Sequence, residues 1–164
     1  MSRKVAYGGI LLALNIILLM LTNIVPINTL FLMGLASLPI SIVIMEYGPK
    51  MGVAFYIGSA VLSFIVMADK AQYVLYIFTF GIYGLIKYAL ERYKSIYVEF
   101  ALKLVFANII VAILYFLLKP FIFIPVNIVT VVAFQVVFVV YDYMYSSFID
   151  YYNDKIRRLL KMNN

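Results

Sequence analysis

The sequence predicts an all-α integral membrane bundle of about six transmembrane helices, with both termini in the cytoplasm. Three observations predict it. Hydrophobic residues make up 66% of the chain and charged residues 12%, whereas a soluble domain carries about a quarter charged residues. Uncharged apolar runs long enough to span a bilayer alternate with short polar breaks. The basic residues gather in every second break. With 164 residues there is room for about six spans of roughly 20 residues in one transmembrane domain, 1–164, and none for a soluble one.

The clearest stretch is Leu38 to Val66, where two apolar runs flank Glu46-Tyr47-Gly48-Pro49-Lys50-Met51. Pro49 has no amide hydrogen and biases Gly48 away from helical geometry. Gly48 takes the positive φ that ends a helix cheaply, and Pro49 suits the first turn of the next. One helix should stop near Tyr47 and another start near Pro49. Glu46 and Lys50 need water, so this turn lies at a membrane surface.

Taken in order, Met1 to Lys4 is a basic start. A first span follows at about 5–25, too long for a signal core and therefore retained. Pro26 ends it, and Asn28 lies in the short connection. The second span, about 30–46, contains Pro39, which a membrane helix tolerates when neighbours satisfy the freed carbonyl. The third is about 50–67 and ends at Asp69-Lys70. The fourth, about 71–91, ends at Glu91-Arg92-Tyr93-Lys94. The fifth, about 98–118, closes at Lys119-Pro120. Residues Phe121 to Val126 form a proline-bearing interfacial connection. The sixth is about 127–148, and the tail 150–164 reads as an interfacial cytoplasmic helix.

One set of breaks holds Arg3, Lys4, Lys50, Arg92, Lys94, Lys155, Arg157, Arg158 and Lys161. The other holds only Lys70 and Lys119. This bias places the termini and the Gly48-Pro49 turn in the cytoplasm of a multi-pass cell-membrane protein. Lys87 and Lys103 lie near the richer side and should snorkel to it. In so apolar a chain, the net charge of +6 reflects topology and not nucleic-acid binding. Cysteine and histidine are absent, which removes thiol, imidazole and zinc chemistry. No convergent acid/base or metal constellation exists, so no catalytic residue, cofactor or metal is expected, and the chain should not be an enzyme.

Helical geometry sorts the remaining polar residues into faces. In the first span Gly8, Asn15 and Thr22 form a stripe that should point into the bundle. Gly9 and Ala13 lie well away from it, as a small-residue face suited to close helix approach. The fourth span aligns Gln72, Tyr76, Thr79, Tyr83 and Lys87, with Phe78 and Leu85 on the other face. The fifth aligns Asn108, Ala112, Tyr115 and Lys119. In the sixth, Gln135 and Asp142 share a face, with Asn127 and Thr130 near its outer end. Polar groups are expensive in lipid, so they face the bundle interior or a cavity. Gln72, Tyr76, Asn108, Tyr115, Lys119, Asn127 and Thr130 share the outer depth and could converge on an outward pocket. The alternative use of the same residues is interhelical hydrogen bonding. Lys87 and Asp142 lie nearer the cytoplasmic edge and should reach water.

The basic start, AYGGILLAL, and LASLPISIVIMEYGPKMGVAFYIGSAVLSFI together resemble the substrate-binding (S) subunits of energy-coupling factor (ECF) vitamin transporters. That family joins its second and third helices by a Gly-Pro-basic-x-Gly turn, here Gly48-Pro49-Lys50-Met51-Gly52. It also carries a small-xxx-small pair in its first helix, here Gly9 and Ala13, with glycine in place of the usual first alanine. The similarity covers nearly the whole chain. It implies a vitamin-like small molecule bound in the outer half, near the first loop (Asn28) and helices four to six. It further implies docking on a transmembrane coupling subunit driven by an ATPase pair; the chain itself has no Walker-type phosphate loop. No residue pattern points to a particular vitamin. A structural scaffold of the rod-shape-determining cell-elongation type is the alternative. It has similar size and span count, but the acidic residues expected in its second and third spans are missing here.

Overall fold

The computed structural model describes residues 2–91, 95–119 and 127–156. Arg92, Tyr93, Lys94, the 120–126 connection and the tail residues Arg157, Arg158 and Lys161 lie outside the described residues. The described chain is helical, with no strand, and six helices are long and apolar enough to cross a membrane. The all-α bundle expected from the sequence is what the structure shows, and the chain is a multi-pass membrane protein.

The helices are α1 (Ser2–Ile24), α2 (Thr29–Tyr47), α3 (Pro49–Val66), α4 (Lys70–Leu90), α5 (Ile96–Leu118) and α6 (Ile128–Tyr151). A 3-10 turn at Pro26–Asn28 joins α1 to α2. The chain divides into two compact units, Met1–Ile124 and Pro125–Asn164.

In the first unit α2 is the central helix. It packs against α1, α3 and α4, and more of it is buried than of any other span. One apolar cluster joins Leu19, Met33, Ala36, Met67, Tyr76 and Ile77, and a second joins Leu11, Ile40, Val43, Ile44 and Phe55. Pro39 sits inside α2 and is buried. Its missing N–H loosens the preceding turn. Nearby hydroxyls meet local carbonyls: Ser37 donates to Gly34 O at 2.5 Å and Ser41 to Leu38 O at 2.7 Å.

The α2–α3 hairpin turns on a single residue. Gly48 has φ 86° and ψ 170°, a region open essentially to glycine alone, and Pro49 occupies the first turn of α3. One turn further, Gly52 allows α3 to approach its neighbours. A Cβ there would collide with Ile44 Cγ1 and meet Leu85 Cδ2 at 3.2 Å.

Helix α4 is not uniform. Residues Lys70–Leu75 and Ile82–Leu90 are α-helical, and Tyr76–Gly81 between them is π-helical. Side chains meet two carbonyls along this segment: Tyr56 donates to Ile77 O at 3.3 Å and Thr79 donates to Leu75 O. A π segment winds wider than 3.6 residues per turn and shifts the phase of the helical residues beyond it. Phe78 and Leu85, placed opposite the polar stripe by strict α spacing, are half-buried and pack against the two apolar clusters, while Tyr76, Tyr83 and Lys87 of the stripe are buried.

Helix α5 packs on α4 through Lys103, Ala107, Ile110 and Leu114, a stripe at helical spacing. Lys87 and Lys103 correct the snorkelling expectation. Both are buried and share one carboxylate oxygen, Glu91 Oε1, at 2.6 Å and 3.0 Å respectively. Glu91 stands one turn beyond Lys87, so the counter-charge comes to the lysine and the lysine need not extend to water.

The second unit is α6, which continues past the expected end near 148 to Tyr151 and into a π turn at Tyr152–Ile156. Asn127 caps it, accepting from Thr130 N and Thr130 Oγ1, each at 2.8 Å. Lys155 sits over the Tyr151 ring, 5.3 Å from its centroid.

Candidate functional site

The most ordered polar constellation is a closed ring at the centre of the first unit. Ser59 Oγ donates to Asn15 Oδ1 at 2.8 Å, and Asn15 Nδ2 donates to the Tyr76 hydroxyl at 2.7 Å. The Tyr76 hydroxyl lies 3.1 Å from Ser59 Oγ. Since the Ser59 proton is engaged with Asn15, Tyr76 donates back to Ser59 and closes the ring. The second Asn15 amide proton goes to Ala36 O at 2.5 Å, within the turn that Pro39 loosens. Asn15, Ser59 and Tyr76 are each 0–2% exposed. In a water-free interior such groups must be satisfied by one another, and a closed set polarises cooperatively. The ring ties α1, α2, α3 and α4 at one level.

Contacts at both of its ends also fasten α1. At one end Tyr47 packs edge-on against Tyr7, with Lys4 6.0 Å from the Tyr47 ring centroid. At the other, Asn23 donates to Val66 O at 2.9 Å and accepts from Ala68 N at 3.1 Å, holding the α3–α4 turn. Asp69 then caps α4 by accepting from Ala71 N and Gln72 N.

Among the described residues, the opposite face of α1 carries no such tie. Gly9 and Ala13 are exposed, and a Cβ built on Gly9 would meet nothing within 4 Å. Ile10, Ile17 and Met20 on the same side are half or more exposed. Asn15 and Thr22, by contrast, are buried, as their stripe requires.

The other residues singled out from sequence fall in several places. Asn28 is exposed and ends the turn before α2. Gln72 is half-buried in the first turn of α4, and Tyr76 joins the ring. Asn108 is exposed and donates to Leu104 O of its own helix at 2.8 Å. Tyr115 is half-buried and carries the Lys119 ammonium 5.6 Å from its ring centroid. Asn127 and Thr130 bond to each other at the start of α6, in the second unit. Direct contact thus joins Tyr115 with Lys119 and Asn127 with Thr130, while Tyr76 pairs with Asn15 and Ser59.

Sequence reasoning missed Ser59, Ser63 and Asn23. The signal for the serines was present: Gly52, Phe55, Ser59 and Ser63 recur at three- and four-residue spacing, and all four are buried.

Among the described residues no group of acidic, histidine or cysteine side chains is arranged to hold a metal. Comparisons of the chain with protein-family models, with curated proteins and with solved structures find no match.

Proposed function

We propose that this chain is the membrane-embedded, small-molecule-binding subunit of an ECF-type importer in the cell membrane, taking a vitamin or similar micronutrient. The observation that carries the proposal is the two-sidedness of α1. Its Asn15 face is locked to three other helices, while its Gly9–Ala13 face stands bare. A rigid helix with a flat, small-residue outer face suits close approach by a second membrane protein. The resemblance carried by Gly48-Pro49-Lys50-Met51-Gly52 supports the same reading, and in it the partner is a transmembrane coupling subunit with its ATPase pair. On the first unit the ligand falls to Gln72, Asn108, Tyr115 and Lys119, with Asn28 in the neighbouring loop. Amide and aromatic groups of this kind recognise a planar or amphipathic molecule by hydrogen bonding and stacking.

Co-purification tests the docking half. Gly9→Leu and Ala13→Leu place bulk on the bare face and should abolish recovery of a coupling complex, at a clash cost of roughly 1–3 kcal/mol each. Thermal stability of the isolated subunit should stay at the wild-type level. Normal recovery of the complex by both variants would sink the docking idea.

The scaffold reading draws on the ring itself, because Asn15, Ser59 and Tyr76 use their polar groups to hold helices together. A scaffold would bind no small molecule.

A further inference from the structure

On the outer surface of α3 and the first turns of α4, Ala60, Val61, Phe64, Ile65 and Tyr73 line an open apolar groove of about 330 Å³. Val61, Phe64 and Ile65 are all more than half exposed. In a transmembrane helix such a face meets hydrocarbon. The aromatic part of the groove is held in shape, with Phe64 and Tyr73 packed edge-on at 5.3 Å.

A cation is fixed beside it. Lys70 Nζ donates to Phe64 O at 2.6 Å and to Met67 O at 2.9 Å, and lies 4.5 Å from the centroid of the Phe64 ring. These contacts hold the ammonium over the last carbonyls of α3, next to a residue that lines the groove. An ammonium has three N–H donors, and two are used here. The neighbouring carboxylate, Asp69, is engaged with the backbone of α4. Lys70 is otherwise exposed, so an anion arriving from the membrane surface can reach its ammonium.

We propose that this groove and Lys70 form a binding site for an anionic phospholipid. One acyl chain lies along Val61, Phe64 and Ile65, and the headgroup phosphate accepts from Lys70 Nζ. Apolar burial holds the chain, and charge selects the headgroup. Bulk annular lipid would share the first feature and lack the second. The site is separate from the small-residue face of α1 and from the residues assigned to the small-molecule ligand.

Native mass spectrometry of the full chain in mild detergent tests this, with phosphatidylglycerol and phosphatidylcholine of identical chains as probes. One phosphatidylglycerol should bind about fivefold more tightly than phosphatidylcholine, the increment expected of one basic residue at a membrane surface. Lys70→Gln should erase the preference, and Lys70→Arg should keep it. Val61→Trp, on an exposed position that leaves the fold intact, should fill the groove and lower occupancy by both lipids. Inorganic phosphate at millimolar concentration should not displace the lipid. Equal binding of the two lipids overturns the proposal. So does a preference that survives Lys70→Gln, occupancy unmoved by Val61→Trp, or displacement by phosphate. If Lys70→Gln does not fold, Val61→Trp and the phosphate competition still decide the matter.

Discussion

Asn15 donates a hydrogen bond to the hydroxyl of Tyr76 at 2.7 Å, linking positions 61 residues apart in the chain. With Ser59 the two form a closed ring that α1, α3 and α4 share, and Asn15 extends it to α2 through Ala36 O. Each polar group in it answers another, so none of the three side chains depends on water. The ring sets the rotation of α1, and that rotation leaves Gly9 and Ala13 on the outside.

Deleting ring members should therefore destabilise non-additively. Tyr76→Phe is expected to cost about 1 kcal/mol, in the range measured for hydrogen bonds between membrane helices. Asn15→Ala removes the hub and should cost about 1–3 kcal/mol, because it strips partners from several buried groups. The double variant should cost less than the sum. Unfolding titrations in mixed detergent give all three values, and strict additivity would argue against a coupled ring.

Two glycines should behave oppositely under one change. Gly52→Ala forces a Cβ against Ile44 and should lower stability by about 1–3 kcal/mol. Gly9→Ala adds a methyl where nothing lies within 4 Å, and in mid-helix it should be neutral or stabilising by up to about 1 kcal/mol. Thermal unfolding of the isolated protein compares them directly. A large loss for Gly9→Ala would mean that this face packs internally.

The hairpin was legible in the sequence because Gly48-Pro49 leaves the backbone few options. The burial of Asn15 was legible because an amide in an apolar helix must face inward. The π segment at Tyr76–Gly81 was not, because widening of a turn arises from tertiary packing and leaves no composition signal. Lys87 was misread because snorkelling was weighed without Glu91, whose carboxylate reaches it one turn away. The exposure of Asn108 was hidden too, since an amide can satisfy itself on its own helix, here at Leu104 O.

The charge bias predicts an orientation, which a chemical test can check. The chain has no cysteine, so single cysteines can be introduced at will. Lys50→Cys should be shielded from an impermeant thiol reagent in intact cells, and Lys70→Cys and Lys119→Cys should be labelled. Labelling at Lys50→Cys with protection at Lys70→Cys would invert the topology.

Small-molecule binding separates an importer subunit from a scaffold. The most direct measurement is mass-spectrometric identification of any molecule that co-purifies with the chain in mild detergent, followed by thermal-shift titration with it. A near-stoichiometric, vitamin-sized molecule is expected. Asn108→Ala and Tyr115→Ala should each weaken its binding by roughly ten- to a hundredfold, the equivalent of about 1–3 kcal/mol, while Gly9→Leu binds as wild type. If no small molecule is found or stabilises the wild-type protein, or if both pocket variants retain full affinity, solute binding by this chain is contradicted.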